Sequence, residues 1–139
     1  MLNRIKMTFL LLVLTQGLHS IEEYIGRLWE VYAPAKFLCS LVSKNPETGF
    51  LIINIGFFIF GLCCWFFTIR QNHLYTQGLI WFWIIMETIN VTGHTVWALS
   101  ERAYVPGIAT VPFLLILVIY LALQLFNLNT RLLQNKNER

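Results

Sequence analysis

The run from Phe50 to Ile69, FLIINIGFFIFGLCCWFFTI, constrains this chain more than any other segment, because it is twenty residues long and carries no charge. At ~1.5 Å per residue a helix of that length covers about 30 Å, the thickness of a bilayer's hydrocarbon core. A helix bonds its own backbone internally, which an apolar solvent requires. The start is marked by Asn45-Pro46-Glu47, an N-cap followed by a proline at the first helical position and an acid in the first turn. Arg70 marks the exit.

Three further segments extend the pattern. Val105 to Phe126 is apolar, with Pro106 and Pro112 confined to its first turns, where proline bends or opens a helix start. Leu74 to Leu99 is long enough to span but is interrupted by Glu87, Asn90 and His94. Met7 to Leu18 is only a dozen largely apolar residues behind Arg4 and Lys6, a length that also suits a signal-peptide core. No small-x-small cleavage site follows Leu18, and continuing the helix to Trp29 gives a full span. The reading is therefore an all-α polytopic membrane protein. It forms one domain over residues 1–139, a four-helix transmembrane bundle with spans at about 5–29, 50–69, 74–99 and 105–126. The loop from Val31 to Gly49, around FLCSLV, leaves room for a short helix lying along the interface.

Composition agrees. Only 12% of residues are charged, against about 25% in an ordinary soluble domain, and 57% are hydrophobic. A net charge of +3, widely dispersed, gives no footprint for nucleic acid. Membrane lipid is the expected partner, with a lipid-like small molecule as candidate substrate; no feature specifies an oligomeric state. With four spans, Arg4, Lys6, Arg70, Arg131, Lys136 and Arg139 share a side with both termini. Arg27, Lys36, Lys44 and Arg102 occupy the other. The excess favours cytoplasmic termini in the plasma (inner) membrane. Cys39, Cys63 and Cys64 are an odd set with an adjacent pair, and imply no disulfide framework.

The polar residues inside these spans carry the chemistry. His19, Glu22 and Glu23 stand at i, i+3 and i+4, one side of the first helix; Glu87, Asn90 and His94 stand at i, i+3 and i+7, one stripe of the third. Counted from each helix start, the two stripes lie at overlapping depths of about 13 to 24 Å, so they can face each other. An unpaired acid at membrane depth costs on the order of 3 kcal/mol, so Glu87 requires a cation, a proton or a partner. Imidazoles, carboxylates and an amide suit a divalent metal, Zn, Fe or Mn, bound between facing helices. Glu23 can equally join a rim network, pairing with Arg27 at i+4 while Glu30 reaches the same Arg27 at i+3. A purely structural hydrogen-bond network between helices accounts for the same stripes.

His19-Ser20-Ile21-Glu22-Glu23, Asn90 to His94 and Tyr104-Val105-Pro106-Gly107-Ile108-Ala109-Thr110 match an HxxEE signature, an NxxxH element and a YxPGxxT element in order. The chain thus resembles the HXXEE-domain family of small four-helix membrane proteins. That resemblance implies that His19, Glu22, Glu23, Asn90, His94, Pro106, Gly107 and Thr110 converge near one membrane face; it brings no activity with it.

The functional expectation is a membrane-embedded enzyme of hydrolase or isomerase type acting on a lipid-like substrate. His19, Glu22, Glu87 and His94 are the expected metal ligands, Glu23 the general acid or base, and Asn90 an orienting or electrophilic group. Tyr104, Gly107 and Thr110 are placed against the substrate. The alternatives are a proton- or cation-coupled carrier subunit, in which the acids are relay sites, and a non-catalytic membrane partner whose polar stripes fix helix packing.

Overall fold

The computed structural model describes residues 2–137, and among these the chain is entirely helical, with no strand. α1 (Leu2–Ile25) is followed by two short helices, α2 (Leu28–Val31) and α3 (Ala33–Val42). α4 (Pro46–Cys63) continues through a wider π turn, Cys64–Ile69; α5 (Thr76–Glu101) and α6 (Val111–Asn137) complete the chain. Arg139, counted above with the polar terminus, lies outside the described residues.

The long helices run alternately up and down. Phe9 meets Trp83 at one end of the α1/α5 pair and His19 meets His94 at the other, so these two helices are parallel. α4 is antiparallel to α1, since Trp65 Nε1 donates to the Lys6 carbonyl while Ser20 reaches Asn54. α6 is antiparallel as well, its Gln124 beside Thr8 and Thr110 beside His19. Ile5, Phe9, Leu12, Trp83, Leu114 and Leu121 fill the buried centre.

The outer surface is apolar. Leu11, Leu18 and Ile21 on α1, Ile52, Ile55 and Ile59 on α4, and Ile116, Ile119 and Leu123 on α6 are all exposed. Pro46–Ile69 and Val111–Thr130 are long and apolar enough to cross a membrane.

Two element ends differ from the sequence reading. The first helix stops at Ile25 rather than Trp29, because Gly26 lies against Pro106 and Arg27 turns left-handed at φ 53°. The last helix starts at Val111 rather than Val105. Pro106 has no N–H to give and Gly107 adopts φ 94°, so Val105 to Thr110 folds back over the bundle as a loop. The start of α4 is as expected: the Asn45 side chain accepts from the backbone N–H groups of Glu47 and Thr48.

α3 lies directly on α4 at Gly49, where an added Cβ would run into the Cys39 carbonyl. Gly56, on the same helix, has open space above it. Gly49→Val is therefore expected to lose about 1–3 kcal/mol of stability by overpacking, while Gly56→Val stays near wild type. Thermal unfolding of the two variants in detergent tests this directly.

Candidate metal centre

Helical spacing places His19 and Glu23 one turn apart on the inward side of α1, and α5 brings His94 across to them. All three are buried. The Glu23 Oε1 atom lies 3.3 Å from His19 Nε2 and 3.0 Å from His94 Nε2. The two imidazoles meet edge to face with ring centres 4.8 Å apart. One donor atom from each of the three residues falls within 4.8 Å of the others.

The spacing suits a metal. Two ligands each ~2.1 Å from a tetrahedral ion stand about 3.4 Å apart, close to both histidine–carboxylate separations. Two imidazoles and one carboxylate are donors of the kind that can hold a divalent metal ion.

The tautomer of His19 follows from its surroundings. Its Nδ1 lies 2.7 Å from Thr110 Oγ1. The Thr110 hydroxyl has one hydrogen and faces two pure acceptors, the Glu22 carboxylate at 2.7 Å and the Gly107 carbonyl at 3.0 Å. Its one hydrogen goes to one of these, so His19 Nδ1 carries the proton and donates to Thr110. His19 Nε2 then presents a lone pair to Glu23 Oε1, and this buried nitrogen has no hydrogen-bond partner. Two acceptors held together away from water are costly, and either a proton on His19 Nε2 or a metal ion between them removes the conflict. The far nitrogen of His19 is thus fixed by a hydroxyl that itself bonds the Glu22 carboxylate, an outer support of the kind that orients metal-binding histidines.

Glu22, one residue before Glu23, turns the other way. Its Oε1 accepts from the Tyr104 hydroxyl at 2.7 Å and the Ala109 N–H at 2.9 Å; its Oε2 accepts from the Thr110 N–H at 3.0 Å and the Thr110 hydroxyl. Four donors occupy its lone pairs, so Glu22 ties the Tyr104–Thr110 loop to α1. The same bond raises the Tyr104 phenol above its ordinary value, because the carboxylate beside it favours the protonated oxygen. Gly107 roofs the centre: an added Cβ would stand 2.7 Å from His94 Cε1 and 2.8 Å from His19 Cε1.

Of the four residues expected as ligands, the fold thus brings His19 and His94 together and seats Glu22 and Glu87 elsewhere. Glu87, 1% exposed, faces Gln16, whose amide nitrogen, in the orientation that satisfies both groups, lies 3.0 and 3.2 Å from its two oxygens. The Asn90 amide lies 3.4 Å from that of Gln16. Tyr104 and Thr110 bind Glu22, Thr110 also touches the far side of the His19 ring, and Gly107 faces both imidazoles. Arg27 pairs with Glu30 at 3.4 Å on the exposed rim and leaves Glu23 to the interior.

The residue missed from sequence is Gln16. It stands three before His19 and seven before Glu23, on the stripe already recognised, and an amide in an apolar run was the available signal.

A family model described as a protein of unknown function with HXXEE motif matches residues 10–122, and the chain belongs to that family. No curated protein and no solved structure matches it.

Proposed function

For this member of the HXXEE family we propose a membrane-embedded, metal-dependent enzyme, of hydrolase or isomerase type, acting on a lipid-like substrate. The membrane reading extends from the two apolar helices to all four long ones. α1 and α5 are more polar because they carry His19, Glu23, Glu87 and His94, and these are all turned inward, leaving an apolar exterior. Lipid is the solvent that such an exterior suits. Lys6, whose ammonium donates to the Arg70 carbonyl, sits on the terminal side, the side the basic residues assign to the cytoplasm.

One observation carries the metal reading: His19 Nε2, buried and without a hydrogen-bond partner, faces Glu23 Oε1 at 3.3 Å, and His94 Nε2 lies 3.0 Å from the same oxygen. His19, Glu23 and His94 are the ligands in this reading, so Glu23 takes the place first given to Glu22. Glu22 acts through Thr110, holding the His19 ring and its proton in place. A divalent ion held there, Zn, Fe or Mn, supplies Lewis acidity to a carbonyl or a water. Glu87 remains the carboxylate outside the ligand set that can take or give a proton, and Asn90 orients the reacting group beside it.

Elemental mass spectrometry of detergent-purified protein tests the reading. About one metal per chain is expected in the wild type, and less than about a tenth of that in His19→Ala and in His94→Ala. A carefully prepared, folded wild type without metal would overturn it.

The same pair of acceptors can be neutralised by a proton instead, which supports the carrier reading as the alternative. That reading requires charge movement in proteoliposomes that disappears in Glu87→Gln.

A further inference from the structure

α4 and α5 touch where Phe57 stacks on Trp83 at 4.3 Å and Phe60 packs near Phe82. Nearer the histidines they enclose a cleft of about 400 Å³, roofed by Tyr32 and Leu38. This falls within the range of about 300–1,000 Å³ typical of small-molecule sites. Its walls are Phe50, Ile53 and Phe57 from α4, and Met86 and Ile89 from α5. Glu23 and His94 lie on its inner wall, with Glu87, Asn54 and Asn90 beside them. The cleft thus ends on the ligand cluster.

The mouth faces the apolar exterior. Leu38, Ile53, Met86 and Ile89 all line the cleft and are all exposed, Ile89 by 64%. Along α5, from Met86 to Gly93, the cleft runs about 10 Å, room for a segment of one alkyl chain lying between the helices. A ligand entering here arrives from the hydrocarbon layer.

Charge decides what its head group is. No lysine or arginine lines the cleft among the described residues, and its ionisable wall groups include the acids Glu23 and Glu87. A divalent ion at the cluster would already have the Glu23 carboxylate set against it, and the lining adds no basic side chain. A phosphate or carboxylate head would be desolvated here with no basic side chain to meet it, which is costly, whereas an uncharged head loses much less. Asn90 and Asn54 offer amide groups to an oxygen of such a head.

The geometry points to a lateral binding site for a single-chain amphiphile with an uncharged alcohol, ester or amide head, entering between α4 and α5. This rests on the membrane-enzyme reading above and gives it a substrate class. Gly93 supplies the means to block the site, since it lines the cleft on α5 and the nearest atom an added Cβ would meet is the Tyr32 hydroxyl oxygen at 3.9 Å. Gly93→Leu places a branched side chain in that space.

The test uses the full chain in detergent, labelled with a diazirine-bearing fatty alcohol, with crosslinks mapped by mass spectrometry and metal measured on the same sample. Labelling is expected at Ile53, Met86 and Ile89, displaced about tenfold more effectively by monooleoylglycerol than by oleate or oleoyl-lysophosphatidate. Gly93→Leu is expected to lower it severalfold with metal content and melting temperature unchanged; Ile89→Trp, which narrows the mouth from outside, provides a second blocked variant. Equal displacement by oleate, or labelling that both variants leave intact, would overturn the proposal. Competed labelling at these residues in metal-free protein would uphold the cleft and remove the metal reading, so the two fail separately.

Discussion

Gly107→Ala is expected to lower the stability of the folded chain by about 2–5 kcal/mol and to empty the metal centre in the same step. Two costs combine. At φ 94° an L side chain sits in a backbone region disfavoured by about 1–2 kcal/mol. The added methyl would also stand 2.7 to 2.9 Å from atoms of both imidazoles, an overlap of the kind that costs about 1–3 kcal/mol in a packed site. Neither ring can step aside cheaply: His19 is held by Thr110, and His94 by Glu23 and by Tyr32, whose ring centre lies 6.5 Å away. Relief comes most readily by lifting the Tyr104–Thr110 loop, which breaks the Glu22 bonds that fix the His19 tautomer. Thermal unfolding in detergent and elemental analysis of one preparation read both effects. Gly78→Ala, with open space at its Cβ, is the control that should change neither. An unaltered melting temperature and metal content in Gly107→Ala would show that the loop is not the roof of the site.

The helices were largely legible from sequence because each helix's signal is local. The cap at Asn45, the apolar run behind it and the polar stripes at helical spacing all depend on neighbours within a turn or two. The breaks at Gly26–Arg27 and Val105–Thr110 were not, because they are one contact seen from both sides. Gly26 lies against Pro106, and each segment stops being helical where the other crosses it. No window on either segment contains that information.

The site divides along the same line. Spacing put His19, Glu22 and Glu23 on one side of α1, and the two stripes do meet, with the rings of His19 and His94 in contact. Spacing could not separate Glu22 from Glu23. At i+3 and i+4 from His19 the two straddle the same face about 100° apart, and what distinguishes them is that the Tyr104–Thr110 loop arrives on one side and α5 on the other. Glu87 reads as a ligand from its depth, yet it stands two turns from His94 along α5, too far to share an ion with it. Its partner, Gln16, belongs to α1, and pairings between helices far apart in sequence are not carried by periodicity.

Glu23→Gln separates ligation from folding more cleanly than any histidine variant. The expected result is a folded protein, at least as stable as the wild type without metal, that holds essentially none. In the wild type one oxygen of Glu23, Oε1, faces both His19 Nε2, an acceptor, and His94 Nε2. A glutamine of the same shape has one donor end and one acceptor end. Both histidine nitrogens face the one oxygen, Oε1, so with the amide nitrogen in that place its N–H donates to the His19 lone pair, and the conflict between buried acceptors becomes a hydrogen bond worth about 0.5–1.5 kcal/mol. What it lacks is the charge and the anionic oxygen that hold a divalent ion, and losing that ligand should weaken metal binding by more than the 10–100-fold typical of an outer-sphere partner. Glu22→Gln should behave in the opposite way. Its amide nitrogen would confront two of the four donors that Glu22 now accepts, loosening the loop and lowering the melting temperature, while metal binding falls only by about 10–100-fold through the His19–Thr110 link. Metal titration and thermal unfolding on the two variants give opposite orders in the two assays. If Glu22→Gln lost all metal while Glu23→Gln kept it, the ligand carboxylate would be Glu22, and the loop clamp would have to be assigned to another residue.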